Sequence, residues 1–379
     1  MNKLTAIVCG ATGQLGQFLI KYLLELQPHI QVIGTIRHKS YDTQPLIYDK
    51  SKVIFELMDL SDSISIDNLI IKYKPNYMFN TAANAFVGES WSVPVQHFQI
   101  NTIGVLNQLE SIRKHSPHTR YLNMGSSEEQ GTDFNDGQLQ DENTPLNPKS
   151  PYACSKAAAR FLVNTYRKSY GLYVLQPWSF NFESELRGPK YVTRKITQGV
   201  AKIYNNIKNN ESFEPIQLGN LNSYRSWQYA GDVAEGLWKI LNQDTINKHF
   251  FDENNIQFFD DTTKNLYIAK TIKNYVLSAT TCHTVRDFVQ LAFKKANIDE
   301  LVSNKEFKWR GEGVSSTFWL GDKKLVEVNK EFIRPHDVTY LNGDASAIKR
   351  DLNWQPTVTF DQLVGKMVEH DLKESSQNS

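Results

Sequence analysis

Cysteine is scarce: three in 379 residues, Cys9, Cys154 and Cys282, far apart in the chain. That excludes a disulfide framework and any zinc-ligand spacing, and reduced thiols of a cytoplasmic protein are the expected state. Neither sign of charge is in excess, with 42 Lys and Arg against 41 Asp and Glu and a net charge of +1. No overall field therefore draws the chain to nucleic acid or to an anionic membrane. Long apolar runs are missing too, none approaching the ~20 residues of a membrane span. The start, MNKLTAIVCG, has one lysine and a short apolar stretch that turns into glycines without a cleavage-site pattern. It reads as a first strand, not a signal peptide. There is no internal repeat, and the length suits one large domain or two ordinary ones with a real core.

What is present is alternation. LTAIVCG (4–10) reads as a strand and QFLIKYLLEL (17–26) as a helix; QVIGTIR (31–37) and VIFELMD (53–59) are strands, and IDNLIIKY returns to helix. YMFNTAA (77–83), a helix across roughly 95–114, RYLNMGS (120–126), a helix from Pro151 to Tyr170 and VLQPWSF (174–180) follow. Such order predicts an α/β chain, a Rossmann-type parallel sheet with helices on both faces. Beyond residue 180 the pattern loosens, and the polar stretch 241–266 with scattered Phe reads as a surface excursion.

Ligands of parallel sheets sit beyond the carboxyl ends of the strands. There the segment Gly10-Ala-Thr12-Gly13-Gln14-Leu15-Gly16 joins the first strand to the first helix. Its glycine spacing permits a tight turn and close approach of a pyrophosphate to the helix start. The second strand ends in Thr35-Ile36-Arg37-His38-Lys39-Ser40, with no acid for a ribose hydroxyl. Arg37 and His38 instead suit a 2′-phosphate, so the expected cofactor is NADP. Asp59 and Leu60, and Thr81, Ala82 and Ala83, are expected to flank adenine and nicotinamide.

Ser150-Pro151-Tyr152-Ala-Cys-Ser-Lys156 opens a helix with a capping serine and a first-turn proline. Tyr152 and Lys156 share one face, and an ammonium beside a phenol should lower its pKa towards that of a useful base. The same spacing recurs at Tyr48/Lys52, Tyr191/Lys195 and Tyr204/Lys208, but only the 152/156 pair follows a nucleotide-binding half with a hydroxyl-bearing strand end just upstream. Ser126, in GSSEEQG (125–131), supplies that hydroxyl for the 152/156 pair.

GATGQLG, GSSEEQG and YACSK resemble the extended short-chain dehydrogenase/reductases of nucleotide sugars. Asn181-Phe-Glu-Ser184, Arg187-Gly188, Val192-Thr-Arg-Lys-Ile196, Leu218-Gly219-Asn220-Leu221, Arg225-x-Trp227, Arg334-Pro335, Gly343-Asp344 and Leu352-Asn353-Trp354 are similar to GDP-mannose 4,6-dehydratases. The resemblance implies a redox-neutral reaction: oxidation of the sugar at carbon 4, loss of water across carbons 5 and 6, and return of the hydride to carbon 6. It places Glu128 as the carboxylate that removes the carbon-5 proton, beside Ser126, Tyr152 and Lys156. Ser127, Asn181, Thr193, Lys195, Gly219, Arg225, Arg334 and Asp337 become candidate contacts of a GDP-sugar, and Arg187 of the cofactor. Glu129 is expected to be solvated, because the family has an apolar residue there. Residues 1–180 are expected to form the NADP-binding domain with the catalytic groups. Residues 181–372 should form a smaller, mainly nucleotide-sugar-binding domain with some segments returning to the first, and 373–379 a disordered tail. Family members associate as homo-oligomers, so a dimer or tetramer is expected.

Six positions depart from the family pattern: Ala85 for Ser, Gln130 for Tyr, Phe182 for His, Leu186 for Arg, Ser226 for Asp and Asp337 for Glu. They bear on the identity of the sugar, and GDP-manno-heptose is the alternative substrate. An epimerase or net oxidoreductase on the same fold is a further reading, and a non-catalytic nucleotide-sugar binder the least favoured.

Overall fold

In the computed structural model, the residues described are 4–27, 29–37, 45–131, 138–246, 268–303, 305–333 and 338–377. Their centre is a six-stranded parallel sheet of β1 (Thr5–Cys9), β2 (Gln31–Ile36), β3 (Val53–Leu57), β4 (Tyr77–Asn80), β5 (Arg120–Asn123) and β6 (Val174–Leu175). Its spatial order is β3-β2-β1-β4-β5-β6, all pairs parallel. The order reverses direction beside β1, and a crevice forms where connections leave to opposite sides. Every residue of β1 is buried. Ala6 and Val8 enter one core with α1 (Gln14–Leu26), whereas Ile7 and Cys9 enter another with α2 (Ser63–Tyr73). A strand covered on both faces must be apolar throughout, which is why TAIVC carries no charge.

The helix expected across 95–114 is three joined pieces: α3 (Pro94–Phe98), a π-helical stretch Gln99–Ile103 and α4 (Gly104–His115). Gly104 lies close against Leu60, where a Cβ would meet the leucine side chain and carbonyl. The single strand expected at 174–180 is broken after β6. Pro177, with no N–H for the ladder, ends it, and β7 (Trp178–Ser179) pairs instead with Val276–Leu277.

The second core gathers α6 (Val192–Lys208), a four-stranded sheet containing Ile216–Leu218 and Phe307–Val328 segments, and the helices Val285–Lys295 and Phe360–Gln377. Later segments also return to the first core, which takes in α7 (Ala230–Leu241) and Trp354. The tail expected to be disordered from 373 is instead helical to Gln377. Lys373 pairs with Glu369 one turn back, and Glu374 reaches Arg194 on α6. Most of the 241–266 excursion lies outside the described residues; its start, Gln243–Ile246, is a short helix whose Asp244 holds Arg120 through two bonds of 2.6 Å.

Candidate active site

The glycine loop leaves β1 through Gly10, whose φ of +79° is a left-handed conformation suited to glycine. A Cβ on Gly16 would collide with the Gly10 carbonyl. Gly13 caps α1 without any side-chain hydrogen bond, so the first-turn N–H groups keep their outward valence and the positive end of the helix. Thr12 sits in the same turn, its carbonyl accepting from Gln17 at 3.0 Å. Bare backbone donors at a helix start, with no side chain in the way, fit a dinucleotide pyrophosphate. Gln14 ties this loop to the later segment: its amide donates to the Phe182 carbonyl at 3.2 Å and accepts from Ser184 at 2.9 Å. Arg37 is exposed immediately after β2; His38 lies outside the described residues. Asp59 turns onto Ser61 after β3, and Leu60 is buried beneath Gly104. Thr81 donates to the Cys9 carbonyl at 2.6 Å, holding the end of β4 to that of β1, and Ala82 packs behind Gly10.

Beside this loop opens a cavity of about 690 Å³. Leu15, Thr81, Ala83 and Arg187 are among its lining residues. A tight turn after β5 brings Ser126, Ser127 and Glu128 to the wall, and α5 (Pro151–Tyr170) brings Tyr152 and Lys156. Asn181, Lys195, Gly219 and Arg225 line it as well. The buried Oδ1 of Asn181 has no hydrogen-bond partner among the described residues. Ser150 caps α5 by accepting from Ala153 N–H at 3.1 Å, which sets the register that aims Tyr152 and Lys156.

Four expectations are corrected. Tyr152 does not have a lowered pKa: burial pushes the phenol up, a hydrogen bond with Ser126 offsets this in part, and the charges of Glu128 and Glu129 add to the rise. Lys156 donates to the Met124 carbonyl at 2.9 Å, and burial brings its ammonium down to about 8. Second, Glu129 is not solvated; it is fully buried and ion-paired to Arg160 at 2.5 Å. Third, Thr193 is buried away from the cavity wall, its hydroxyl donating to Glu183 at 2.7 Å. Glu183 also pairs with Arg187 at 3.1 Å, so Thr193 steadies the acid that orients Arg187. Fourth, Tyr191, set aside as part of a chance copy of the Tyr-x-x-x-Lys spacing, lines the cavity beside Lys195, which the resemblance had already made a candidate sugar-nucleotide contact. The Arg187 guanidinium lies 3.5 Å from the Tyr191 ring centre, and the Lys195 ammonium 3.6 Å from that of Phe332. The other copies stay outside, Tyr48 bonding the Ala11 carbonyl.

Sequence reasoning also missed the aromatic lining of Phe86, Trp91 and Phe332; isolated aromatics outside periodic segments carry no local signal. Of the departures, Ala85 and Phe182 line the cavity. Gln130 donates to the Asp141 carbonyl, Ser226 bonds the Leu341 carbonyl, and Leu186 packs on the first core. Arg334 and Asp337 lie outside the described residues.

A family model described as GDP-mannose 4,6 dehydratase matches residues 7–265 and 260–367. A GDP-mannose 4,6 dehydratase of Drosophila melanogaster is 32% identical over 384 residues, covering 98% of this chain and 87% of that protein. Among solved structures, a Thermus thermophilus UDP-glucose 4-epimerase complexed with NAD superposes with a TM-score of 0.73 at 21% identity, over 97% of this chain and 99% of that one. The RMD of Pseudomonas aeruginosa complexed with NADPH gives 0.69 at 16% identity, over 98% and 99%. At these identities the structural likeness shows a shared fold.

Proposed function

The chain belongs to the GDP-mannose 4,6 dehydratase family, and from that premise we propose that it converts GDP-mannose to GDP-4-keto-6-deoxymannose, using NADP. Relatives of this fold carry NAD or NADPH, and the exposed Arg37 after an acid-free strand end favours the 2′-phosphate. Held at the Gly10–Gly16 loop, NADP would supply hydride-transfer chemistry for carbons 4 and 6 of the sugar. The remaining work falls to side chains. Tyr152, hydrogen-bonded to Ser126, would take the proton of the carbon-4 hydroxyl in its phenolate form, which burial disfavours and which the neighbouring Lys156 ammonium would have to support. The resulting ketone acidifies carbon 5, whose proton Glu128 removes and passes to the carbon-6 hydroxyl as it leaves as water; after hydride return to carbon 6, carbon 5 takes back the solvent-exchangeable proton held by Tyr152. Ser127 and Asn181 would hold the hexose, and Lys195, Gly219, Arg225, Arg334 and Asp337 the GDP part. Residues 1–180 would serve mainly the cofactor and 181–372 the sugar nucleotide.

One observation carries the reading: Glu128 shares a cavity wall with Ser126, Tyr152 and Lys156. GDP-manno-heptose is a second substrate reading, supported by Ala85 and Phe182, which give the cavity wall less polarity than the family pattern implies. Incubation with each nucleotide sugar in deuterated water distinguishes the readings by mass and NMR. Loss of water with deuterium at carbon 5 and no net NADPH supports dehydration. Net NADPH, or an isomer of unchanged mass apart from exchange, supports an oxidoreductase or epimerase, and binding without turnover a non-catalytic binder. We further infer a cytoplasmic homo-oligomer, testable by localisation and sedimentation; no described helix is long and apolar enough to cross a membrane.

A further inference from the structure

Tyr152, Lys156 and Arg160 stand at i, i+4 and i+8 on α5, one face of a single helix. The first two line the cavity, and Arg160, the next rung, is 3% exposed. Its Nε meets Glu129 Oε2 at 2.5 Å, and its Nη1 donates to the Gln176 carbonyl at 2.5 Å. The guanidinium carbon lies over the Trp178 ring, 3.6 Å from its centre. Glu129 uses its other oxygen on the turn itself, accepting from Ser126 N–H at 2.8 Å and from Gln176 Nε2 at 3.0 Å. That same Gln176 amide donates to the Lys156 carbonyl at 3.0 Å. Gly125 leaves room for the arrangement, since a Cβ there would come within 2.9 Å of Arg160 Nη2.

We propose that Glu129 and Arg160 form a buried clamp between the Ser126–Glu128 turn and the Tyr152/Lys156 helix, and that Glu129 is thereby a positioning residue for the reaction. The inference rests on the reading of those four residues as the reacting groups. The two neighbouring acids then divide the labour: Glu128 faces the cavity, while Glu129 turns inward and fixes the turn that carries it. A buried ion pair is seldom a better stabiliser than apolar side chains of the same volume. This one connects the two elements whose separation the chemistry depends on. The charged groups that act on Lys156 are Glu129 on the turn and His97 on α3. Among them Glu129 favours the ammonium.

The test uses the full chain, with E129Q, which keeps the hydrogen-bonding shape, and E129Q/R160Q, which also removes the cation left without its partner. Both are compared with wild type for kcat and KM against pH, for Tm, and for the Lys156 titration followed by NMR with side-chain-labelled lysine. In E129Q we expect kcat to fall on the order of 10–100-fold with KM much less affected. The lysine midpoint should move below its wild-type value of about 8. In the double variant Tm should recover while kcat stays low. Recovery of kcat together with Tm would reduce the clamp to a stabilising role and overturn the proposal; so would wild-type kcat in E129Q, or an unmoved lysine midpoint. Should wild type leave GDP-mannose and the heptose untouched, the functional reading falls, and a crystal structure of E129Q decides this one: a displaced Ser126–Glu128 turn upholds the clamp and an unmoved turn overturns it.

Discussion

Desolvating a carboxylate is expensive unless it gains hydrogen bonds or a counter-charge, and the turn after β5 solves this twice in adjacent residues. Glu129 has Arg160 and two donors; Glu128 stays part-exposed on the cavity wall. Replacing Glu128 by Gln should reduce dehydration by about 10³-fold or more while single-turnover oxidation at carbon 4 survives in part, measured by NADPH absorbance and product mass. Full dehydration in that variant would remove the assignment. Lys156 offers a stability prediction. Its folded-state pKa of about 8 lies below its ordinary 10.5, so below pH 8 both states carry the proton and the burial cost is fully present. Between those values the unfolded chain binds more protons than the folded one, and stability rises with pH. Lys156→Met should therefore be inactive yet more stable than wild type at pH 7, by about 1–3 kcal/mol, with the gap closing towards pH 10.5 in urea titrations. A wild-type advantage at pH 7 would contradict this.

At the scale of elements, the β1–loop–α1 unit depends on side chains that are not there. Gly16→Ala places a Cβ against the Gly10 carbonyl, and the expected cost is about 1–3 kcal/mol, with loss of dinucleotide affinity seen by fluorescence titration. At the end of β2, Arg37→Asp should lower the NADP-to-NAD affinity ratio on the order of 10–100-fold; an unchanged ratio would end the case for the 2′-phosphate. This unit was the most legible part of the sequence, because strand period, glycine spacing and helix start are all local. The breaks were less so: Pro177 signalled the end of β6, but nothing local announced that β7 would pair with Val276–Leu277 nearly a hundred residues on.

The whole molecule is interleaved. Trp354 is almost fully buried in the first core, its indole N–H donating to the Asp232 carbonyl at 2.9 Å. Trp354→Ala should cost about 3–5 kcal/mol and lower the Tm of the half built on the parallel sheet, although the residue lies far along the chain. A Tm loss confined to the second core would contradict that. The cavity lies where both halves meet, with Ser126 and Tyr152 from one and Lys195, Gly219 and Arg225 from the other. None of the sequence periodicities beyond residue 180 could place those three, since short strands and long loops leave register to tertiary contacts.

The linear order of residues determined the parallel sheet, the nucleotide loop and the Ser126/Tyr152/Lys156 set, because apolar period, glycine spacing and helical spacing act over a few residues. The tertiary structure alone decided which of two adjacent glutamates meets water, that Thr193 turns inward and Tyr191 lines the cavity, and which way the Tyr152 phenol titrates. Burial and counter-charges decide those outcomes, and both are supplied by segments such as Arg160, Gln176 and Glu183 whose arrival no local pattern announces.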